Sequence, residues 1–496
     1  MILRRALISV HDKTNLLSLA QFLKTREIEI VSTGGTSAFL ESHGIPFIPL
    51  SQVTGFPEIL DGRVKTLHPH IYGAILACLE NPSHAHTLNQ FQITPIDLVV
   101  VNLYPFEQTQ TIENIDIGGP CLIRAAAKNH ARVSVLCAPE DYAPFMARVL
   151  EHEEVDLAYR QQLAAKAFSK TSAYDKTISL KLSPIDTELR YGENPHQSAK
   201  IYANPNDAIQ LASAKPLQGK ALSYNNLLDA DAALFALRCL TDNHPKQHAC
   251  VIVKHATPCG AALSDTVHTA YQKAFAGDPL SAFGGIVALS DSVDEFTASA
   301  LVSTFFEVIL APDFSPKARL ILNEKKNLRL LAIPNLTSGR LSTRSLRSIQ
   351  GGVLEQDSDD TRVDLSIARI VTERVPTQEE WQALHLATCL SIPCRSNAIV
   401  LVKNNQLVGV GAGQTSRIDA VKQAIQKACE LGHSTQGAVL GSDGFFPFKD
   451  NIELIAQAGI SAIAQPGGSL KDAEVIEIAN QNHLAMIFTS KRHFRH

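Results

Sequence analysis

Short apolar runs alternate with amphipathic segments along the first third of the chain. The apolar runs predict β-strands at residues 6–10, 28–31, 96–103 and 133–137. The run at 96–103 (IDLVVVNL) is typical of a strand that is covered on both faces. A leucine stripe at 13–24 and the segment 118–129 predict helices between these strands. Strands and helices in this order predict an α/β fold with a parallel, doubly wound sheet.

The pattern changes near residues 182–189. A helical stretch at 155–180, rich in Ala, Leu and Lys, is interrupted by Ser183-Pro184. We therefore expect two domains, residues 1–185 and residues 186–496.

The second domain is also predicted to be α/β. Its strands are expected at 249–254, 398–403 and 406–410, and its helices at 377–390, 416–430, 451–458 and 472–482. Asn404-Asn405, between two of these strands, predicts a β-hairpin.

Composition and charge narrow the class of protein. A length of 496 residues allows roughly two to four domains, and 45% hydrophobic residues suit large folded cores. The 45 Lys and Arg residues against 49 Asp and Glu give a net charge of −4. Such a chain has no general attraction for nucleic acid or for an anionic membrane, so we expect small-molecule partners.

The distribution of cysteines indicates the cellular compartment of the protein. Nine cysteines are scattered along the chain, and none forms a C-x-x-C pattern. This distribution is typical of a reduced, cytoplasmic protein. No apolar run approaches the roughly 18 residues that span a bilayer, so we expect no membrane association.

In the first domain, polar and glycine-rich segments follow predicted strands, where open α/β sheets place their ligands. Residues 32–36 (STGGT) can hold an anion at a helix start, or can simply form a tight turn. Lys13 opens the first helix, where a phosphate ligand fits. Arg63 and Lys65 are two apart and face the same side of an extended segment, unless they belong to a solvated basic loop.

Two further features of this domain have alternative interpretations. Tyr104 ends the most apolar strand, either as a donor in a cleft or as a structural cap. Arg124 and Lys128 are four apart on a predicted helix and therefore share one face. That face either closes over an anionic ligand or is an exposed charged surface.

The second domain carries three candidate segments. Lys254-His255 ends a predicted strand, where the histidine can act as a base and the lysine can stabilise negative charge on an oxygen. Residues 190–197 (RYGENPHQ) are dense in polar groups and can form an anchoring loop. Residues 409–417 (GVGAGQTSR) precede a helix and either cradle a phosphate or form a tight hairpin exit.

Two sequence patterns that bind cofactors are missing from this chain. Residues 152–154 match H-x-E, but a zinc deaminase also needs P-C-x-x-C. Neither Pro258-Cys259 nor Pro393-Cys394 is followed by the second cysteine. The phosphate-binding pattern G-x-x-x-x-G-K-[ST] is also missing. We therefore expect no metal and have no indication of ATP.

A set of segments occurs together in one order. They are GRVKTLHP, NLYPF, DIGG…LIRAAAKNHARV, RYGENPHQ, KH…PCGAA, FGGIVALS, SNAIV, GVGAGQ.SR and DGFFPF.DNIE. In this order they resemble the bifunctional purine biosynthesis family that combines 5-aminoimidazole-4-carboxamide ribonucleotide (AICAR) formyltransferase with inosine monophosphate (IMP) cyclohydrolase. The resemblance runs from the first strand to the C-terminal segment 492–496.

For the first domain, the resemblance implies a methylglyoxal-synthase-like fold that closes the ring of formyl-AICAR to IMP. It implies Lys128 as the proton-transfer residue, with Tyr104 and Lys65 holding and polarising the formyl group. The nucleotide-binding positions that it implies are His11, Asp12, Lys13, Thr33, Gly34, Gly35, Thr36, Arg63, Thr66, Val101, Asn102, Asp116 and Ile117.

For the second domain, the resemblance implies a formyltransferase with two cytidine-deaminase-like lobes and no zinc. His255 would be the base, Lys254 would stabilise the transition state, and Asn397 would contact the reacting groups. The other binding positions implied are Arg190, Tyr191, Gly284, Glu307, Arg417, Ile418, Phe445, Asp450, Ser469, Leu470 and Arg492.

The resemblance also implies ligands and an assembly. The formyl donor would be 10-formyltetrahydrofolate, and AICAR, formyl-AICAR and IMP would be the other ligands. Family members are homodimers whose formyltransferase sites are built across the subunit interface.

Three positions depart from the family pattern. His11 stands where Ser is usual, Glu307 stands where some members have Asp, and Arg395 stands where Lys is common. None of them removes a proposed catalytic residue. Two alternatives stay open: a formyltransferase with an impaired cyclohydrolase, which His11 suggests, and a non-catalytic nucleotide-binding protein on the same folds. Retention of Lys128, Lys254, His255 and Asn397 argues against the non-catalytic alternative, because a protein that only binds nucleotides would not need the Lys-His pair.

Overall fold

The computed structural model describes residues 3–60, 63–106, 111–152, 154–182, 186–204 and 206–496. The chain divides into two compact units, Met1–Pro184 and Ile185–His496. The interruption at Ser183-Pro184, from which we predicted a boundary, lies outside the described residues.

A parallel sheet forms the centre of the first unit. Its strands are β1 (Arg5–Val10), β2 (Glu29–Ser32), β3 (Ile48–Pro49), β4 (Leu98–Asn102) and β5 (Ser134–Leu136). They lie in the order β3-β2-β1-β4-β5, and each neighbouring pair is parallel. All five residues of β4 are buried, as its apolar run predicted. The parallel sheet of the first domain is thus confirmed.

Helices cover this sheet. They are α1 (Leu16–Thr25), α2 (Gly34–Ser42), α3 (Leu50–Thr54), α4 (Pro69–Leu76), α5 (Pro82–Gln90), α6 (Gly118–Lys128), α7 (Tyr142–His152) and α8 (Leu157–Leu182), with 3-10 turns at Ile112–Asn114 and Pro139–Asp141. The buried residues of α1 are Leu16, Leu19, Ala20 and Leu23. This i, i+3, i+4, i+7 spacing forms one apolar stripe, which is why the helix packs on the sheet along that face.

Asp97 and Arg132 occupy the amino edge of the first sheet. The Asp97 carboxylate accepts hydrogen bonds from the Arg4 backbone N–H and from Arg132 Nη1, each at 2.9 Å. Arg132 Nη2 also donates to the carbonyl of Ala74 at 2.7 Å. The amino edge is therefore filled by a hydrogen-bonded ion pair, and the carboxyl edge is the one available for a ligand.

The main sheet of the second unit is mixed. Its strands are β8 (His248–Lys254), β9 (Thr257–Ser264), β10 (Ile286–Leu289), β11 (Val308–Ala311), β12 (Arg329–Ala332), β15 (Arg369–Ile370), β16 (Ile399–Lys403), β17 (Gln406–Gly411), β18 (Val439–Ser442), β19 (Ala462–Gln465) and β20 (Ala485–Phe488). They lie in the order β12-β11-β10-β8-β9-β17-β16-β18-β19-β20-β15. Two separate hairpins pair β6 (Asp186–Leu189) with β7 (Ala199–Tyr202) and β13 (Arg344–Ile349) with β14 (Gly352–Asp357).

The helices of the second unit lie between these strands. They are α9 (Tyr224–Thr241), α10 (Val267–Gly277), α11 (Pro279–Ala282), α12 (Glu295–Leu301), α13 (Pro316–Leu322), α14 (Gln378–Ser391), α15 (Arg417–Glu430), α16 (Asp450–Gln457) and α17 (Asp472–Gln481), with a 3-10 turn at Leu365–Ile367.

One succession of elements occurs twice in this unit. The first repeat runs from α9 to β12. It consists of a helix, two antiparallel strands, and then helices that alternate with three more strands. The same order runs from α14 to β20, the second repeat. The repeats meet where β9 and β17 pair antiparallel, at Gln406 and Ala262. Since β8, β9, β17 and β16 are successively antiparallel, β8 and β16 run in opposite directions.

Each repeat carries a two-residue turn between its paired strands. His255 and Ala256 have φ of 50° and 56°, and Asn404 and Asn405 have φ of 52° and 60°. Two successive residues in the left-handed region give the turn whose twist suits a two-residue hairpin. The hairpin predicted at Asn404-Asn405 is therefore confirmed, and the first repeat has its counterpart at His255-Ala256.

Glycine lets a helix approach the sheet closely in both repeats. A Cβ atom on Gly260 in β9 would lie 2.2 Å from the carbonyl oxygen of Ala274 in α10. A Cβ atom on Gly409 in β17 would lie 2.4 Å from the carbonyl oxygen of Ala424 in α15. Only glycine fits at this separation, so each strand packs directly against the backbone of its helix.

Candidate active sites

A cavity of about 760 Å³ lies at the carboxyl edge of the first sheet. The residues after β1, β2 and β4 meet there because the ends of parallel strands share an edge. The predicted residues that line it are His11, Lys13, Thr33, Gly35, Thr36, Arg63, Lys65, Thr66, Val101, Asn102, Tyr104, Asp116 and Ile117. Asp12 lines an adjoining cavity of about 660 Å³ that shares His11, Lys13 and Tyr104.

Asn102 holds the loop that follows β1. Its Oδ1 accepts hydrogen bonds from the backbone N–H groups of His11 at 2.7 Å and Asp12 at 3.0 Å. Its Nδ2 donates to the carbonyl of Asp12 at 2.8 Å. Asn102 therefore fixes the backbone of this loop, in addition to lining the cavity.

Two lysines lie at the start of α2. A Cβ atom on Gly34 would lie 3.4 Å from Lys65 Nζ, and one on Gly35 would lie 3.9 Å from Lys13 Nζ. Gly34 has φ of 54°, which glycine adopts without strain. The free backbone N–H groups of a helix start favour an anion, and two ammonium groups add to that effect. This end of the cavity suits a phosphate.

A phenol and a carboxylate lie at the other side of the cavity. The side chain of Tyr104 is 40% exposed, and its ring contacts that of His11 edge-on, with centroids 5.0 Å apart. Asp116 Oδ1 accepts a hydrogen bond from the Gly119 N–H at 2.7 Å. Burial raises the pKa of Asp116, although backbone hydrogen bonds from Gly119 and Tyr104 and the charge of Lys65 act against this. The raised pKa makes the carboxylate a better proton acceptor.

Two acidic residues of this cavity were missed by the sequence analysis. Glu113 accepts hydrogen bonds from Arg63, the first of them at 3.0 Å from Nε. Glu58 accepts a hydrogen bond from the Thr33 hydroxyl. Both line the cavity. Neither belongs to a glycine-rich or basic motif, so no local signal identified them.

Lys128, which we predicted to act with Lys65 and Tyr104, is not among the described residues that line this cavity. It is the last residue of α6, whose first residues Gly118 and Gly119 line the cavity. Ten residues of helix span roughly 15 Å. The next residue, Asn129, donates to the carbonyl of Ile75 at 2.7 Å, and this end of α6 leads to the Arg132 pair at the amino edge. Its side chain is exposed there.

In the second unit, Asp229 holds the turn that carries His255. Its Oδ2 accepts from the His255 N–H at 3.1 Å, and its Oδ1 accepts from the Ala256 N–H at 2.8 Å. Asp229 lies on α9, 26 residues from His255 along the chain. Neither turn residue is glycine, so the left-handed backbone conformation costs conformational free energy. The two hydrogen bonds to Asp229 offset that cost. Asp229 was missed by the sequence analysis.

Lys254, Gly284 and Glu307 lie along one edge of the sheet. Lys254 Nζ donates to the carbonyl of Phe283 at 2.8 Å. A Cβ atom on Gly284 would lie 3.0 Å from the same Nζ atom. Gly284 precedes β10, and Glu307 precedes the neighbouring strand β11. Glu307 forms an ion pair with Arg329 at 2.6 Å. Three predicted positions of the first repeat thus meet where β8 ends and β10 and β11 begin.

A second cluster of predicted residues lines a cavity of about 490 Å³ in the second repeat. These residues are Asn397, Arg417, Ile418, Phe445 and Asp450. Asn397 is held by Gln414, whose carbonyl accepts from Asn397 N–H at 3.1 Å and from Nδ2 at 2.9 Å. This cavity lies at the amino end of β16, the same sheet edge as the carboxyl end of β8.

Arg417 and Asp443 form a buried ion pair behind this cavity. The two residues are 6% and 1% exposed. Arg417 Nη1 donates to Asp443 and also to Ser442 Oγ at 3.1 Å. Asp443 accepts further hydrogen bonds from Ser396 Oγ at 2.6 Å and from the Ala398 N–H at 3.0 Å. Asp443, which no sequence motif indicated, fixes both Arg417 and the segment that contains Asn397.

The remaining predicted residues lie outside these cavities. Arg190 stacks on the ring of Tyr191, 4.7 Å from its centroid, and donates to its hydroxyl at 2.8 Å. Arg492 lies over the ring of Phe494 at 4.3 Å, and Phe494 lines the 490 Å³ cavity. Ser469 and Leu470 follow β19 at the same sheet edge, and Leu470 is fully exposed.

Strand spacing separates His255 from Asn397 within one chain. The strands β8, β9, β17 and β16 lie side by side in this order. Three intervals of about 4.8 Å place the ends of β8 and β16 roughly 14 Å apart. The two clusters therefore share an edge but do not form one compact pocket in this chain.

Among the residues that the structure describes, no group of three or more His, Cys, Asp and Glu side chains is arranged to hold a metal ion. In the same part of the chain, the helices are too short or too polar to cross a bilayer.

Two protein families match this chain. The family described as AICARFT/IMPCHase bienzyme matches residues 126–427, and the MGS-like domain matches residues 15–129. The second match lies within the unit that contains the parallel sheet.

Several curated proteins are similar over the full length. The bifunctional purine biosynthesis protein PurH of Anoxybacillus flavithermus is 46% identical, and that of Halalkalibacterium halodurans is 47% identical. PurH of Bacillus cereus is 46% identical. Each comparison covers 99% of this chain and 100% of the relative. The crystal structure of ForH is 32% identical and covers 36% of this chain and 95% of that chain, at a TM-score of 0.33.

The buried Arg417–Asp443 pair generates a prediction about stability. Asp443→Asn should lower the free energy of unfolding by about 3–5 kcal/mol, because it leaves a buried guanidinium without its anionic partner. Thermal unfolding followed by circular dichroism measures this change. The control is Asp357→Asn, since the Asp357 side chain is 89% exposed and lies 3.6 Å from Arg344. Equal effects of the two substitutions would contradict the importance of the buried pair.

Proposed function

Since this chain belongs to the AICARFT/IMPCHase bienzyme family, we propose how its two units divide the family's two reactions. The chain is a bifunctional AICAR formyltransferase and IMP cyclohydrolase and performs the last two steps of purine biosynthesis. In our proposal, residues 1–185 close the ring and residues 186–496 transfer the formyl group. The observation that carries this division is the cavity that collects Lys13, Lys65 and Tyr104 in the first unit.

Ring closure needs polarisation of the formyl carbonyl and removal of a proton. The carboxamide nitrogen of formyl-AICAR attacks the formyl carbon, and water then leaves. Lys65 and Tyr104 hold and polarise the formyl oxygen as negative charge develops on it. Asp116, with its raised pKa, accepts the proton from the attacking nitrogen. The phosphate of the nucleotide binds at the start of α2, near Lys13.

The placement of Lys128 changes the role that the family resemblance suggested. A group that transfers a proton must come within hydrogen-bond reach of the substrate. Lys128 lies at the far end of α6 and does not line the cavity. We therefore assign the direct chemistry of ring closure to Lys65, Tyr104 and Asp116.

Formyl transfer uses the residues at the sheet edge of the second unit. The 5-amino nitrogen of AICAR attacks the formyl carbon of the donor, and the donor nitrogen then leaves as an amine. His255 takes the proton from the attacking nitrogen, and Lys254 stabilises the tetrahedral oxyanion. Asn397 contacts the reacting groups, and Arg417, held by Asp443, binds substrate at the same cavity. The formyl donor in this proposal is 10-formyltetrahydrofolate, without a metal.

A second copy of the chain completes the formyltransferase site in this proposal. His255 and Asn397 lie about three strand spacings, roughly 14 Å, apart in one chain. Two groups that act on the same reacting atoms must lie within a few ångströms of them. A homodimer that places His255 of one copy opposite Asn397 of the other resolves this separation.

The proposed setting of the enzyme follows from its ligands and its thiols. The partners are small molecules, namely AICAR, formyl-AICAR, IMP and the folate, and neither nucleic acid nor a membrane. All nine cysteines are free thiols, and five of them are buried. This agrees with a reducing cytoplasm as its location.

The division of labour is tested by a reciprocal pair of variants. His255→Ala should lower formyl transfer by at least about 100-fold and leave closure of supplied formyl-AICAR unchanged. Lys65→Ala should lower ring closure by a comparable factor and leave formyl transfer unchanged. Absorbance assays with each substrate measure the two rates separately. Loss of both activities in a folded variant would refute the division.

The role of Asp229 predicts an effect on kcat rather than on substrate affinity. Asp229→Ala removes both acceptors of the His255 turn and should lower kcat of formyl transfer about 10- to 100-fold, with KM little changed. Ring closure by the same chain is the internal control and should keep its rate. A fall in both rates, or a change in KM alone, would count against a positioning role.

Subunit complementation tests the shared site. His255→Ala and Asn397→Ala are each expected to be inactive in formyl transfer. Coexpressed with different affinity tags and purified through both, the mixed dimer has one site with both groups intact and should regain about half of the wild-type rate. If both residues act within one chain, the mixed dimer stays inactive, and the proposed interface site is wrong.

A further inference from the structure

A cavity of about 840 Å³ in the second unit is separate from both candidate active sites. Two histidines, the single tryptophan of the chain and three side-chain amides line it, namely His244, His385, Trp381, Gln247, Gln382 and Asn405. Its volume lies within the range of roughly 300–1,000 Å³ found for small-molecule sites.

The internal duplication explains where this cavity lies. Asn405 is the second residue of the turn in the second repeat, and its counterpart in the first repeat is Ala256, beside His255. Because β8 and β16 run in opposite directions, these two turns lie at opposite edges of the same sheet. The cavity therefore lies at the turn that corresponds to the His255 turn, on the edge that the formyltransferase residues do not use.

The rings in this cavity are uncharged. The imidazoles of His244 and His385 lie 4.8 Å apart between centroids, and Nε2 of His385 is 3.1 Å from the carbonyl of Val363. Burial lowers the pKa of His244 to about 4, and the neighbouring His385 adds to the effect. Burial also lowers the pKa of His385, although the hydrogen bond that His385 donates to the Val363 carbonyl acts against this. Both rings are therefore neutral at physiological pH and, with Trp381, offer flat surfaces for stacking.

The charge of the lining excludes the substrates of the two active sites. Among the described residues that line the cavity there is no lysine or arginine. Its one carboxylate, Asp364, accepts hydrogen bonds from the hydroxyl of Ser366 at 2.6 Å and from its N–H at 2.9 Å. A phosphate or a folate carboxylate would meet a like charge and no cation here. The side-chain amides can both donate and accept, which suits the polar edges of an uncharged ring.

We propose that this cavity binds an uncharged, flat heteroaromatic molecule of the purine base or nucleoside class. The ring system stacks on Trp381 and the neighbouring imidazoles, and the amides of Asn405 and Gln382 hydrogen-bond to its edge. The site is distinct from the nucleotide sites because it takes the ring without the phosphate.

Fluorescence of the single tryptophan reports directly on this cavity. Inosine and hypoxanthine should quench Trp381 fluorescence saturably in the full-length protein, whereas IMP should not, because its phosphate finds no cation there. IMP is the informative control because it carries the same base as both neutral probes. Saturable quenching by IMP with the same affinity as inosine would overturn the proposal, and so would the lack of saturable quenching by either neutral probe.

Two matched substitutions test the contact with the turn. Asn405→Gly removes the lining amide and keeps the left-handed turn, since glycine adopts that conformation readily. It should weaken the quenching by inosine about five-fold, the effect of one lost hydrogen bond. Asn404→Gly makes the same change at the adjacent turn residue, which does not line the cavity, and should leave inosine affinity unchanged. Equal affinities of the two variants would overturn the assigned site.

Discussion

Backbone N–H groups beyond the ends of the strands must find acceptors, and the placement of the candidate sites depends on how they do so. A few side chains supply the acceptors. Asn102 accepts from the loop after β1, Asp229 accepts from the His255 turn, and Asp443 accepts from the residue before β16. Because buried or strained backbone is costly without such partners, each acceptor fixes one functional loop in a single arrangement.

The second unit shows how one duplicated framework supports two different halves of a site. The N–H of Ala249, near the start of β8 in the first repeat, donates to the hydroxyl of Ser290 at 2.8 Å. The corresponding Ala398 donates to the carboxylate of Asp443 at 3.0 Å. The two acceptors occupy corresponding positions, but the carboxylate also binds Arg417, so the second repeat has a buried charge pair at this point. The first repeat contributes the Lys254-His255 strand end instead.

Much of the first candidate site was predictable because its residues lie in short motifs at the ends of predicted strands. Thirteen predicted residues line one cavity, because the carboxyl ends of parallel strands lie at the same edge of the sheet. Lys128 belongs to the same motif as Gly118, but it is the last residue of α6 and so lies at the other end of that helix from the cavity. Asp229 and Asp443 were missed because they act on loops 26 and 45 residues away.

The sequence by itself determined the parallel α/β character of the first unit, the hairpin at Asn404-Asn405 and the family, because periodicity, turn residues and motifs are local properties of the chain. Only the tertiary structure decided which residues of those motifs meet. It brought Lys65, Tyr104 and Asp116 into one cavity, and it separated His255 from Asn397 by three strand spacings. Strand order decides such distances, and strand order arises from long-range pairing that no local pattern records.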